Sequence, residues 1–371
     1  MTNSSASDAD IFRVSQSMDF FGRLVLDNPR TWRLISKFET KVLAARLADI
    51  EIERPVFITG LARSGGRILL EIMAELPGVA SHRNKDFPLL FTPYWSNWLF
   101  KSAKTKAGKP ALRTHRDGAT KAPNSPEAME EALWMQFFSG LHEPRESNVL
   151  NATTSNSSFE KFYIDHIRKL LLGRNADRYV AKANYHVTRL EYLLKIFPDA
   201  RFVIPVRQPV AHIASLMKQQ DLFRRGQKAN PRARAHLKRV GEFEFGLDRR
   251  PINTGNTERT KVVYSAWRRG EEIRGWAIYW SQIYGYLADL LEKSPAVRAA
   301  SILIRFEDLC DQPKTHVTNL FAHCGFPDKD HDINAAAGQI RKPTNYANSL
   351  ADDEIALIKL ETYDTAKRLR Y

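Results

Sequence analysis

Between Ile11 and Ile50 the apolar positions Phe20, Leu24, Trp32, Ile35, Phe38 and Val42 recur at helical spacing, and Asn28-Pro29 interrupts them. The spacing predicts two short helices. The pattern then changes. Pro55 to Thr59 is a short apolar run with β-branched residues and reads as a buried strand. Gly60-Leu-Ala-Arg-Ser-Gly-Gly66 follows, and from Arg67 to Glu75 the helical period returns.

Strand and helix patterns alternate through the rest of the chain. Apolar runs at 179–182, 201–206 and 300–306 predict strands. Helical spacing covers 159–172, 188–197, 210–218, 273–291, 313–324, 332–341 and 351–368. Residues 101–126 read as a loop, and Ser125-Pro126-Glu127 has the capping chemistry of a helix start. The segment 221–262 is rich in Arg and Lys, is interrupted by Gly and Pro, and reads as an insertion or lid. Strand–helix alternation predicts an α/β fold: three α/β/α layers around a central parallel sheet. The organisation expected is a helical arm over 1–54 and a main domain over 55–371 with a basic insertion near 221–262.

Composition narrows the function classes. The chain has 371 residues, 43% of them hydrophobic, enough for a large core without staples. Lys and Arg number 56 against 42 Asp and Glu, a net charge of +14 that points to anionic partners without choosing among them. Cys310 and Cys324 are the only cysteines, which excludes a disulfide framework and a Cys-rich zinc site. The N-terminus lacks the pattern of a signal peptide, and no apolar run is long enough to span a bilayer. A soluble, cytoplasmic protein is expected. The basic amphipathic arm has the composition to touch a membrane surface or another subunit; packing on the main domain is the simpler reading. Oligomeric state is not readable.

Two stretches carry candidate chemistry. Gly60 and Gly65 have the spacing of a Walker A loop, but Gly66 stands where Lys belongs and Arg67 where Ser or Thr belongs. The missing hydroxyl removes the usual Mg²⁺ ligand and disfavours an ATPase or GTPase. Anion binding survives, because glycines let backbone N–H groups approach an oxygen cluster at a helix N-terminus. Arg63 and Ser64 add a cation and a hydroxyl. In the second stretch, Arg207 ends a predicted parallel strand and Ser215 lies two helical turns further on. Such a pair can bracket one phosphate.

Together these motifs resemble the sulfotransferases that use 3′-phosphoadenosine 5′-phosphosulfate (PAPS). Ala62-Arg63-Ser64-Gly65-Gly66-Arg67 is similar to their 5′-phosphosulfate loop. Arg207, Pro209 and Ser215 are similar to their 3′-phosphate motif. Ile302 to Leu309, with Arg305, Glu307 and Asp308, and Lys182 with His186 ahead of Phe197 to Phe202, are further matches in the right order. The resemblance implies a P-loop-like sulfotransferase fold and transfer of a sulfuryl group from PAPS to a hydroxyl or amine, with no metal. It implies donor binding by Arg63, Ser64, Gly65, Gly66, Arg67, Arg207 and Ser215. Arg63 and Lys182 would stabilise the leaving group. Gly66-Arg67 departs from the family's Thr-Thr: either Arg67 supplies a cation in place of the hydroxyls, or it points away and the backbone does the work.

The general base is open among three residues. Asp86 matches a position where some branches of the family place a carboxylate and would need burial to raise its pKa. His82 and His115 titrate in the right range unperturbed. The aromatic cluster Phe87, Phe91, Tyr94, Trp95 and Trp98 suits stacking on sugar or adenine, or ordinary core. Basic and aromatic surface together suits a glycan or glycolipid acceptor. Two other classes are an atypical P-loop kinase and a basic nucleic-acid-binding protein; no specific nucleic-acid module is visible.

Overall fold

The computed structural model describes residues 12–102, 111–112, 120–121, 123–342 and 350–371. Its centre is a five-stranded, wholly parallel sheet. The strands are β1 (Val56–Ile58), β2 (Val79–Ala80), β5 (Arg178–Lys182), β6 (Arg201–Val206) and β7 (Ser301–Arg305), in the order β2-β5-β1-β6-β7. A separate antiparallel pair joins β3 (Ala111–Leu112) to β4 (Thr120–Lys121).

The period-2 geometry of these strands explains the three layers. Phe57, Tyr179, Ala181, Phe202 and Ile204 point to one face, into a core built with the helices Ser157–Arg174, Leu190–Ile196, Pro209–Ala229 and Glu272–Lys293. Val56, Ile58, Val180 and Val203 point to the other, where Gly66–Ala74, Pro313–Cys324 and Asp330–Gln339 cover them. The helix after β1 therefore lies on one face and the helix after β6 on the opposite face. Since β1 and β6 are neighbours, the chain diverges above them and leaves a crevice at their carboxyl ends, where open α/β sheets bind ligands.

Three expectations need revision. Ser125 to Glu127 does not start a helix. This stretch pairs with the chain around Arg83: the N–H of Asn84 donates to Ser125 O (3.1 Å) and that of Glu127 to His82 O (2.9 Å), and the next helix is Glu131–Trp134. The helix expected at 210–218 runs from Pro209 to Ala229, and helices Pro231–Arg239 and Thr257–Arg268 occupy much of the remaining basic segment. The loop expected at 101–126 opens inside the helix Pro93–Ser102. His115 lies outside the described residues.

At the N-terminal end, helices Gln16–Leu26 and Pro29–Val42 form on either side of Asn28, as the break at Pro29 requires. The aromatic cluster is divided. Phe91 is fully buried, Tyr94 lies under the Arg46 guanidinium, Trp95 meets Phe38 edge-on at 6.0 Å, and Trp98 is exposed. None of these contacts places a ring beside the glycine loop.

Candidate functional site

The loop Gly60–Gly66 turns sharply through positive φ at Gly60 (139°), Arg63 (68°) and Gly65 (108°). Two of the three are glycines, for which this region carries no steric cost. Space also demands glycine at position 65, where a Cβ would stand 2.4 Å from Phe306 Cδ2; a Cβ on Gly66 would meet Lys182 Cε at 3.3 Å. Gly65 caps the helix Gly66–Ala74 without a side-chain hydrogen bond. The first-turn N–H groups of that helix have no side-chain acceptor from the cap residue, which suits an anion.

Buried groups hold the loop. Ser64 Oγ donates to Leu61 O (2.7 Å) and is itself buried. In this arrangement Ser64 also frames the cradle from within. His212 Nε2 donates to Ala62 O (2.7 Å) and its Nδ1 accepts from Trp280 Nε1 (3.1 Å), which fixes the tautomer. Burial pushes the His212 pKa down to about 3, so the ring is neutral.

The two sequence motifs converge here. Arg63 Nε donates to Ser215 Oγ (3.2 Å), and Arg207 Nη1 donates to Arg63 O (3.4 Å). The Arg207 guanidinium lies over the Phe306 ring, 5.6 Å from its centroid. Glu307 pins the end of β6, accepting the Gln208 N–H (3.1 Å) on one oxygen and the Tyr371 hydroxyl (2.6 Å) on the other. The motif that ends β7 thus braces the crevice from its far side.

Arg67 is engaged elsewhere. Its Nε donates to Glu71 (2.7 Å) and its Nη1 to Glu127 (3.0 Å), while Nη2 is buried without a partner. Two carboxylates balance the charge that was a candidate for gripping phosphate.

Asp86 lacks the character of a base. It is buried, Arg174 Nη2 lies 2.8 and 2.6 Å from its two oxygens, and the Arg83 N–H donates to it (2.8 Å). Burial raises its pKa, but the nearby His82 ring, 3.6 Å away, and the Arg174 charge outweigh that and hold the carboxyl below its usual range. His82 is buried too, its Nε2 3.1 Å from that of His166. These partners, Arg174, His166 and the Arg83 backbone, lie outside the glycine loop.

A different carboxylate pair faces the loop. Glu242 and Glu244 come from the segment read as a basic lid, where Phe243 and Phe245 between and after them are buried. Asn184 Nδ2 donates to both oxygens of Glu244 (2.8 and 2.7 Å), and the Ala62 N–H also holds it. Burial, then repulsion from Glu244, pushes Glu242 up to about 8. Burial also raises Glu244 against the pull of Lys182 and Asn184. Lys182 in turn is lowered by burial and supported by both carboxylates. A lysine and two carboxylates titrating toward neutrality in one crevice form an acid–base cluster. The alternation Glu-Phe-Glu-Phe at 242–245 was the available signal, hidden by the arginines around it.

Comparison with known proteins gives one family match and several distant structural likenesses. The profile described as "Sulfotransferase family" matches residues 55–241. No curated protein matches significantly. Among solved structures, sulfotransferase STF1 from Mycobacterium tuberculosis is similar at 15% identity over 96% of this chain and 93% of its own, with a TM-score of 0.47. STF9 from Mycobacterium avium is similar at 14% identity over 98% and 91%, TM-score 0.46. A sulfotransferase from Alicyclobacillus acidocaldarius shows 15% identity over 86% and 95%, TM-score 0.39.

Two substitutions test the geometry. Gly65→Ala forces a side chain against Phe306 at positive φ and is expected to cost about 1–3 kcal/mol in chemical unfolding; an unchanged midpoint would refute the close approach. Burial, then repulsion from Glu244, pushes Glu242 in the folded chain from the ordinary 4.5 up to about 8. The folded state therefore holds more protons between those values, and its contribution to stability falls as pH rises through that window. Glu242→Gln should flatten the fall in Tm between about pH 5 and 8; an unaltered slope would mean that this carboxylate is not desolvated.

Proposed function

The chain belongs to the sulfotransferase family, and on that premise we propose that it transfers a sulfuryl group from PAPS to a hydroxyl or amine of an acceptor, with a carbohydrate or glycolipid as the acceptor class. The observation that carries the reading is the meeting of Arg63, Arg207 and Ser215 at the glycine cradle, with Lys182 against its Gly66 face. One cluster of cations, a hydroxyl and backbone donors fits a ligand with separate anionic groups.

The donor supplies an activated sulfuryl group on a phosphate that must leave. The loop backbone from Gly60 to Gly66 would hold the 5′ end. Arg207 and Ser215 would hold a 3′-phosphate, and their distinct place on the next strand and helix is the reason to expect one. Arg63 and Lys182 would meet the negative charge that grows on the leaving phosphate, a role that cations in a water-poor crevice perform without a metal. Glu242 or Glu244 would take the acceptor's proton, since burial has brought the pair toward the working pH. Arg67, tied to Glu71 and Glu127, would shape the wall of the crevice. Among the described residues no group of His, Cys, Asp and Glu is arranged to hold a metal ion.

Thermal shift with 3′-phosphoadenosine 5′-phosphate and with AMP tests the donor. Stabilisation by the first and little by the second is expected, and Arg207→Ala should remove the difference, a loss of about 1.5–3 kcal/mol. Equal stabilisation by both nucleotides would refute the 3′-phosphate site. With PAPS as donor, Arg63→Ala and Lys182→Ala are each expected to lower kcat at saturating donor, because their contacts strengthen in the transition state. Glu242→Gln or Glu244→Gln should lower kcat and remove the rise of rate with pH. Full rate in EDTA is also expected, and a strict Mg²⁺ requirement would favour phosphoryl transfer instead.

A further inference from the structure

The helix Pro29–Val42 turns half-buried Trp32 and Ile35 inward beside a polar pair and leaves other apolar residues outside. Its buried residues are polar: Ser36 and Glu39. Lys169, from the helix Ser157–Arg174, reaches them, 2.9 Å from Glu39 and 2.8 Å from Ser36 Oγ, and neither charged side chain has any exposure. The apolar stripe of the same helix faces outward. Leu34, Phe38 and Val42, spaced four residues apart, are 66%, 60% and 58% exposed. Leu99 and Trp98 on the helix Pro93–Ser102 are also exposed, and that helix adjoins Phe38 through Trp95.

The stripe has a cationic margin. At 100° per residue, Arg30, Lys37 and Lys41 fall on one side of Leu34 within about 60° of it, and all three are exposed. Glu39, the one acid of the helix, is buried. Large exposed apolar side chains bordered by Lys and Arg on one helix are the pattern of a segment lying in a bilayer interface. We propose that this face docks the protein on an anionic lipid surface, with Leu34, Phe38 and Val42 in the acyl boundary and Arg30, Lys37 and Lys41 on the headgroups.

The charges favour a bilayer over a second copy of the chain. A two-fold contact through the stripe presents the same patch on both partners, so two cationic margins would meet with no exposed acid on this helix to answer them. Anionic headgroups neutralise the margin. Among the described residues no helix is long and apolar enough to cross the membrane, so contact would be peripheral. The buried Lys169–Glu39 pair supplies the reason that the helix cannot roll its stripe inward: doing so would break an ion pair that water does not reach. The proposal does not depend on the sulfuryl-transfer reading.

Co-sedimentation of the full chain with vesicles tests it. Binding is expected to vesicles of phosphatidylcholine with about 30% phosphatidylglycerol and to fall at least roughly tenfold on phosphatidylcholine alone. Leu34→Ser/Phe38→Ser/Val42→Ser should abolish binding while leaving the circular dichroism spectrum unchanged, and Lys37→Glu/Lys41→Glu should lower it roughly tenfold or more. Raising salt for the unmodified protein gives a mutation-free measurement and should release it. Failure of the unmodified protein to bind anionic vesicles would overturn the proposal, as would binding that the triple substitution leaves intact. A concentration-dependent dimer abolished by that substitution, without vesicle binding, would assign the face to self-association instead.

Discussion

Phe306 is the point on which the crevice turns. It follows directly after β7, and its ring fills the space that any side chain on Gly65 would need. The same ring lies under the Arg207 guanidinium. One aromatic residue therefore sets how closely the glycine loop approaches β6 and β7, and where the cation at the end of β6 rests. This gives physical content to the third motif in the sequence. Arg305 is drawn back to Asp308 and the Arg370 carbonyl, and Glu307 clamps Gln208 and Tyr371. The anion cradle is shaped by packing from behind as much as by its own glycines.

Charge buried away from the crevice supports that shape. Glu130 accepts from the Tyr163 and Tyr179 hydroxyls (2.5 Å each) and lies 2.6 Å from His186 Nε2. Glu131 forms two hydrogen bonds of 2.8 Å with Arg189, and His142 Nε2 lies 2.8 Å from it. Adjacent residues thus send carboxylates to β5 and to the chain that follows it. Removing one partner from such a pair strands a charge, at about 3–5 kcal/mol, whereas the intact pair adds little net stability. Their effect is positional: they hold the chain after β5, with Asn184, at the mouth of the crevice.

The legible parts of the sequence were those encoded locally. The strand at 201–206 and the helix at 313–324 appear with the bounds that their patterns indicate. The glycine loop was legible because positive φ and close approach leave a mark in residue type. The carboxylates were not. Asp86 could not be assessed without Arg174, which is distant in sequence. Glu242 and Glu244 gain their character from burial beside Lys182 and Asn184, and the Glu-Phe alternation that marks it is masked by the arginines around it. Ser125-Pro126-Glu127 has good helix-start chemistry, yet pairing with the chain at residues 82–84 overrides it. Local propensity is a weak prior when backbone donors have a better partner nearby.

The crevice also shows why its carboxylates are a structural liability. Burying Glu242 beside Glu244 favours the protonated state, so at neutral pH the folded chain must either hold a proton that the unfolded chain releases or confine a charge. Lys182 answers part of the charge, but it too loses solvation. A cation and two acids, each held away from its preferred ionisation state, contribute little to stability. Asp86 is the opposite case in the same molecule, a buried carboxylate fully answered by a guanidinium and a backbone donor. The contrast is between a cluster that leaves its charges unsettled and one that answers them in full.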